Sequence, residues 1–370
     1  MSDNKRTPQI RFKGFTDDWE QSKLNEFSKY ITSNKTSTNS ISNGKYDLYD
    51  ANSVIGKTND GIVSEEYITI IKDGSGVGKV RLLPPNTAFI GTMGGILPKE
   101  SDIKFIYCNL LKTDFTKEVN GATIPHIYYS SYGNNEYYIP KIEEQEYIGK
   151  IFKNIDNLIT LHQRKYDKLV NMKKSMLEKM FPKNSEKVPE IRFKGFTDDW
   201  EQRKLEEISN RFDNLRIPVA ANVREKGTIP YYGANGIQDY VKGFTHNGEF
   251  VLIAEDGAND LKNYPVKYVN GLFWANNHVH VIQGKKEICD NKYLKYCFSK
   301  TNIEALLVGG GRAKLNANIM MGIDLKLCQF DEQSKIGELF YEIDNLITLH
   351  QRKLEKLNNL KKSMLEKMFV

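Results

Sequence analysis

Four kinds of side chain in this sequence invite a chemical reading. The run Gly74–Lys79, GSGVGK, has the look of a loop that cradles phosphate. The phosphate-loop pattern needs a glycine five positions before Gly78 and a hydroxyl after Lys79. Asp73 and Val80 stand there, so the pattern fails. His278 and His280 alternate as strand neighbours would, but no third ligand accompanies them, and no metal is expected. The four cysteines, Cys108, Cys289, Cys297 and Cys328, are scattered, which reads as reduced, buried thiols. What remains is a set of glycine-rich loops carrying Asn, Lys, Arg, Thr and His. Glycine lets the backbone approach phosphate, and these polar side chains donate to phosphates and base edges. In the first half they are Lys72, Ser75, Lys79, Thr92, Met93, Thr123 and His126. In the second they are Asn235, Asn259, Asn276, Asn277, Arg312, Lys314 and Asn316. Taken singly, each loop is also compatible with ordinary turn chemistry. The chain reads as a binder without catalysis of its own.

The elements that must hold these loops repeat. IRFKGFTDDWEQ occupies Ile10–Gln21 and recurs at Ile191–Gln202. IDNLITLHQRK occupies Ile155–Lys165 and Ile343–Lys353, and KKSMLEKMF occupies Lys173–Phe181 and Lys361–Phe369. The order is therefore cassette, variable module, long helix, twice over. The divisions expected are residues 1–144, a helix at 145–182, residues 183–332, and a helix at 333–370. Between the repeats the modules agree only in outline: Lys72–Gly74 with Glu255–Gly257, Phe89 with Phe273, Tyr107–Cys108 near Tyr296–Cys297.

The helical segments carry heptad stripes. Starting from Ile148 and Ile336, each covers roughly 34 residues, about 50 Å. The seam is read through Ile155, Leu158, His162, Leu169 and Met176, and through Ile343, Leu346, His350, Leu357 and Met364. Such exposed apolar stripes predict mutual packing. The connecting modules permit either direction, and an antiparallel, pseudo-twofold pair is preferred. His162 and His350 read as polar seam residues fixing register, with a metal or pH role as the alternative. Lys173, Lys174, Lys361 and Lys362 suit a solvated face, or contact with phosphate or an acidic partner. In the cassette, Thr16 or Asp17 is placed to cap a short helix from Trp19. Phe12, Phe15 and Trp19 either pack on the module or helix base or present Trp19 to a partner.

Short β-type runs at Tyr67–Ile71, Val80–Leu83, Thr87–Ile90 and Tyr137–Ile139, and at Glu249–Ile253, Val279–Ile282 and Leu325–Leu327, accompany helical stretches near Phe105–Thr116 and Tyr293–Leu307. The fold class expected is α+β, two globular modules joined by two long antiparallel coiled-coil helices. A net charge of +6 permits nucleic-acid binding without demanding it. No run of about 18 apolar residues or signal core is present, so a cytoplasmic location is expected.

The cassette (Arg11–Trp19, Arg192–Trp200) and the helix motifs together resemble the specificity subunit of type I restriction–modification enzymes, over nearly the whole chain. The resemblance implies that each module reads one half of a bipartite double-stranded DNA site. The helix pair would set the spacer and dock two modification subunits. S-adenosylmethionine, ATP and Mg would sit on the modification and restriction subunits, with no cofactor or metal on this chain. An interaction protein for another ligand is the alternative of a different class.

Overall fold

In the computed structural model, which describes residues 7–121, 123–183, 185–309 and 313–370, the chain forms two compact units. One comprises residues 1–163 with 352–370, the other residues 164–351. The two long helices are Ile142–Lys179 and Phe330–Lys367, each of 38 residues. Each compact unit thus holds the start of one long helix and the end of the other.

That exchange has a physical cause in the first unit. Trp19, Phe105, Cys108, Ile148 and Phe152 form one buried cluster with Met368 and Phe369, from the end of the second helix. Along the pair, Phe152 meets Phe369 and Asp156 meets Lys361, 2.7 Å apart. Rising numbers on one helix meet falling numbers on the other, so the helices run antiparallel. The second unit repeats the arrangement: Phe181 meets Phe340, and Lys173 meets Asp344 at 2.5 Å. Lys173 and Lys361 are therefore spent on ion pairs inside the scaffold.

The buried and half-buried stripe of the first helix passes through Ile148, Phe152, Ile155, Ile159, His162, Tyr166, Leu169, Lys173 and Met176, in steps of four and three, and continues to Met180 just past its end. That of the second passes through Ile336, Phe340, Ile343, Ile347, His350, Leu354, Leu357, Lys361 and Met364, and continues to Met368 just past its end. Leu158 and Leu346 are corrections: they sit one position beside this stripe and are 44% and 42% exposed.

The cassettes form no helix at Trp19. Glu20–Lys23 is a strand paired antiparallel with Glu136–Ile139, and Glu201–Lys204 pairs likewise with Asp324–Leu327. These ladders close each module at its junction with the long helix and outweigh local capping. The tryptophans pack inward: Trp19 lies edge-on to Phe105, and Trp200 to Phe181 and Tyr293. Arg11 lies on the nearly fully buried Glu144 through two hydrogen bonds of 2.7 Å, and Arg192 on Glu332 through bonds of 2.7 and 2.8 Å. Removing one partner of such a buried pair costs on the order of 3–5 kcal/mol. Gly149 and Gly337 let the long helices approach the short helices Ile103–Lys112 and Asn291–Phe298 closely. A Cβ on Gly149 would lie 2.1 Å from Asp102 Oδ1, and one on Gly337 2.7 Å from the Tyr293 nitrogen. Asp102 and Asp290 cap those short helices, accepting from the backbone N–H of Phe105 and Tyr293. The helix expected at Tyr293–Leu307 ends at Phe298. The Thr301 hydroxyl donates to the Cys297 carbonyl, and the chain continues as turns.

Each module is sheet-based. The first has a four-stranded antiparallel sheet in the order Ser28–Ile31, Met93–Pro98, Tyr67–Ile71, Val80–Leu83. A three-stranded sheet of Val54–Thr58, Tyr46–Tyr49 and Ala88–Phe89 accompanies it. In the second module the corresponding strands merge into one six-stranded sheet: Ser209–Arg211, Val279–Gly284, His246–Ala254, Val266–Ala275, Lys226–Gly233, Gly236–Val241. The ladders also set the true correspondence. Tyr49 faces Phe89 in a parallel pair as Tyr232 faces Ala275, so Phe89 matches Ala275 rather than Phe273. The helix caps align Phe105 with Tyr293, so Cys108 matches Tyr296.

Candidate functional site

At one end of each module's central sheet, loops from distant parts of the sequence meet through matching backbone bonds. In the first module the Lys72 N–H donates to the Thr92 carbonyl at 3.0 Å, and the Ile127 N–H donates to the Lys72 carbonyl at 2.9 Å. His126 bridges Asp73 and Asn120. In the second, the Glu255 N–H donates to the His278 carbonyl at 2.9 Å, and the Leu315 N–H donates to the Glu255 carbonyl at 2.7 Å. Lys314 bridges Asp256 and Val308. Three positions are thereby shared: Lys72 with Glu255, Thr92 with His278, and His126 with Lys314. The backbone is the same and the side chains differ.

The first module brings together Lys72, Ser75, Thr92, Thr123 and His126. The Lys72 ammonium lies 3.3 Å from Asp73, and the His126 ring packs edge-on against Tyr128. Ser75, Thr92 and Thr123 are exposed, as is Lys79 on the same glycine-rich loop. Met93 is a correction. It is buried in the cluster with Tyr67, Ile71, Leu83 and Phe89, because strand alternation turns it inward one residue after Thr92.

In the second module Asn235 reaches across the cluster. Its Nδ2 donates to the Gly257 carbonyl at 2.9 Å, and its Oδ1 accepts from the Asn259 N–H at 2.9 Å. Asn276 is buried, its Oδ1 accepting from the His278 N–H, so it shapes the loop rather than facing outward. Asn277 and Asn259 are exposed. Asn316 precedes the short helix Ala317–Met321 without a side-chain cap bond. Arg312 lies outside the described residues.

Beneath this surface sits an ion network that spacing alone does not reveal. Arg216 Nη1 is 2.6 Å from Glu255 and donates to the Val279 carbonyl at 2.7 Å. Lys314 Nζ is 2.7 Å from Glu255. His280 Nδ1 is 2.7 Å from Asp213, and its Nε2 is 2.8 Å from the Leu315 carbonyl. Burial pushes the Asp213 and Glu255 carboxyls up. His280 and Arg216 at the first, and Lys314 and Arg216 at the second, pull both below the ordinary carboxylate range. Asp213, Glu255 and His280 lie close enough to hold a cation. Arg216 and Lys314 already supply the positive charge there, and His278 bonds to Asp256 instead, at 2.5 Å. The arrangement is that of a rigid polar platform.

Cys108, Cys289, Cys297 and Cys328 are all buried free thiols, and burial pushes Cys108 up to about 12, which keeps it inert at neutral pH. Among the described residues, no helix is long and apolar enough to cross a membrane.

Asn52 is not among the residues that the sequence singles out. The ladders set Tyr49 beside Tyr232, so the hairpin tips Tyr49–Ser53 and Tyr232–Gly236 correspond, sharing Tyr-x-Ala-Asn. That four-residue echo is the only local signal.

A family model described as type I restriction modification DNA specificity domain matches residues 16–171 and 197–359. The putative type I restriction enzyme specificity subunit S.HindORF215P of Haemophilus influenzae is 43% identical over 157 residues. That match spans 42% of this chain and only 40% of that relative. The MjaVIII specificity subunit of Methanocaldococcus jannaschii is 25% identical over 94% of this chain and 91% of its own. Among solved structures, the S subunit of a type I restriction-modification system from M. genitalium matches with a TM-score of 0.79. The match covers 98% of this chain and 99% of that one at 18% identity, and so bears on the fold.

Proposed function

The chain belongs to the type I restriction–modification DNA specificity family, and on that premise we propose that each module reads one half of a bipartite double-stranded DNA site. One observation carries this reading. At three matched backbone positions the modules carry different side chains and so shape their loop surfaces differently: Lys72 against Glu255, which is tied to Arg216 and Lys314, Thr92 against His278, His126 against Lys314. One scaffold offering two donor–acceptor patterns suits a site with two unlike halves, because base edges differ in their donor and acceptor patterns.

The twin helices serve as the ruler and as the dock. Their length sets the number of unread base pairs between the half-sites. Leu158 and Leu161 in the first helix, and their matches Leu346 and Leu349 in the second, remain exposed despite their apolar character. Two equivalent apolar patches, one in each compact unit, suit two copies of one modification subunit. Methyl transfer with S-adenosylmethionine, and ATP- and Mg-dependent steps, belong to the modification and restriction subunits, while this chain selects the sequence.

The test is binding by the chain assembled with its modification subunits, after mapping the methylated motif in the host. Scrambling either half-site in a synthetic duplex lowers affinity on the order of 10³-fold or more at physiological salt. Equal affinity for intact and scrambled duplexes contradicts the proposal.

A further inference from the structure

We propose that Asn52, at the hairpin tip of the first module, reads a base edge in the first half-site, an adenine by the chemistry of its carboxamide. This rests on the reading of the modules given above and adds a residue that neither the motifs nor the glycine-rich loops single out.

Asn52 and Asn235 hold the same place in their modules, yet their amides do different work. The Asn235 amide is consumed on both sides, by the Gly257 carbonyl and the Asn259 N–H, so it ties the tip to the neighbouring loop. The Asn52 side chain is exposed and makes no hydrogen bond to any of the described residues. Its tip is nevertheless held rigid by other means. Asp50 Oδ1 accepts from the backbone N–H of Asn52 and of Ser53, both at 2.7 Å. The Asp50 N–H donates to the Ser53 carbonyl at 3.0 Å. Arg81 lies over the Tyr49 ring, 5.5 Å from its centroid, with Nη1 3.4 Å from the Asp50 carbonyl. The tip adjoins the glycine-rich loop, since Ala51 lines one cleft with Gly78 and Lys79. A free amide on a braced turn beside a candidate reading loop is a donor–acceptor pair fixed before contact. An amide of that kind matches adenine N7 and N6 in the major groove.

The test is methylated-motif sequencing in cells carrying the full chain with its modification partner, comparing the parent with Asn52→Asp and Asn52→Ala. Aspartate keeps the shape and removes the donor. The expected result is relaxation or change at one A·T pair of the first half-site, with the second half-site and spacer retained. That retention shows that the chain still folds and assembles. Asn235→Asp serves as the contrast, because it sets a carboxylate against the Gly257 carbonyl. It lowers occupancy of the whole second half-site rather than relaxing one position. An unchanged first half-site in both Asn52 variants overturns the inference, as does an even loss over all sites, which marks a phosphate contact. A parent chain that yields no bipartite motif refutes instead the underlying reading of the modules.

Discussion

Charge placement under the loop surface of the second module gives a residue-scale prediction. Glu255 is held by Lys314 and Arg216, which depress its pKa despite burial. A carboxyl with a lowered folded pKa contributes stability above its unfolded value, about 4, and loses it as pH falls through the folded value. Glu255→Gln therefore destabilises the second module at pH 7 by about 1.5–3 kcal/mol, the scale of hydrogen bonds to charged groups. The deficit shrinks below about pH 4, as the carboxyl of the unfolded parent takes up a proton, and is gone once the folded carboxyl does so as well. Thermal melts of parent and variant between pH 7 and 3 check this. A deficit unchanged at pH 3 contradicts it. At this scale the sequence is least legible. Composition singles out loop residues without their surroundings: Thr92 and Asn259 are exposed, whereas Lys314 pairs with Glu255, Met93 turns inward and Asn276 is spent on its own loop. Arg216 goes unseen because its place depends on partners brought in by strand pairing, Glu255 and Val279, and Asn52 because only the ladders match its hairpin tip to that of Asn235.

At the scale of elements, heptad spacing and the repeated cassettes are legible because their signals are local and periodic. The partner of Arg11 is not, since Glu144 lies 133 residues away. Nor does periodicity distinguish Leu158 from Ile159, adjacent on the helix and on opposite sides of the stripe's edge. The cassette's strand is invisible locally because its pairing partner, Glu136–Ile139, also lies far along the chain. The helix glycines acquire their meaning only from packing. Gly149→Ala drives a methyl into the Asp102 carboxylate that caps helix Ile103–Lys112. Overpacking of this kind costs about 1–3 kcal/mol. Thermal unfolding of the variant shows that loss, and a melting temperature equal to the parent's shows that the helices separate without strain.

At the scale of the whole molecule, duplication explains why the scaffold contacts recur while the readers differ. Arg11–Glu144 and Arg192–Glu332, Asp156–Lys361 and Asp344–Lys173, and Gly149 and Gly337 are twin devices from twin sequences. They fix the modules' bases and leave the loop surfaces free to diverge. The most direct measurement is to replace residues 204–332 with the corresponding segment of another family member and sequence the methylated motif in cells. A changed second half, with the first half and the spacer kept, is the outcome that separate readers on a shared scaffold require. Both halves changing together would contradict it.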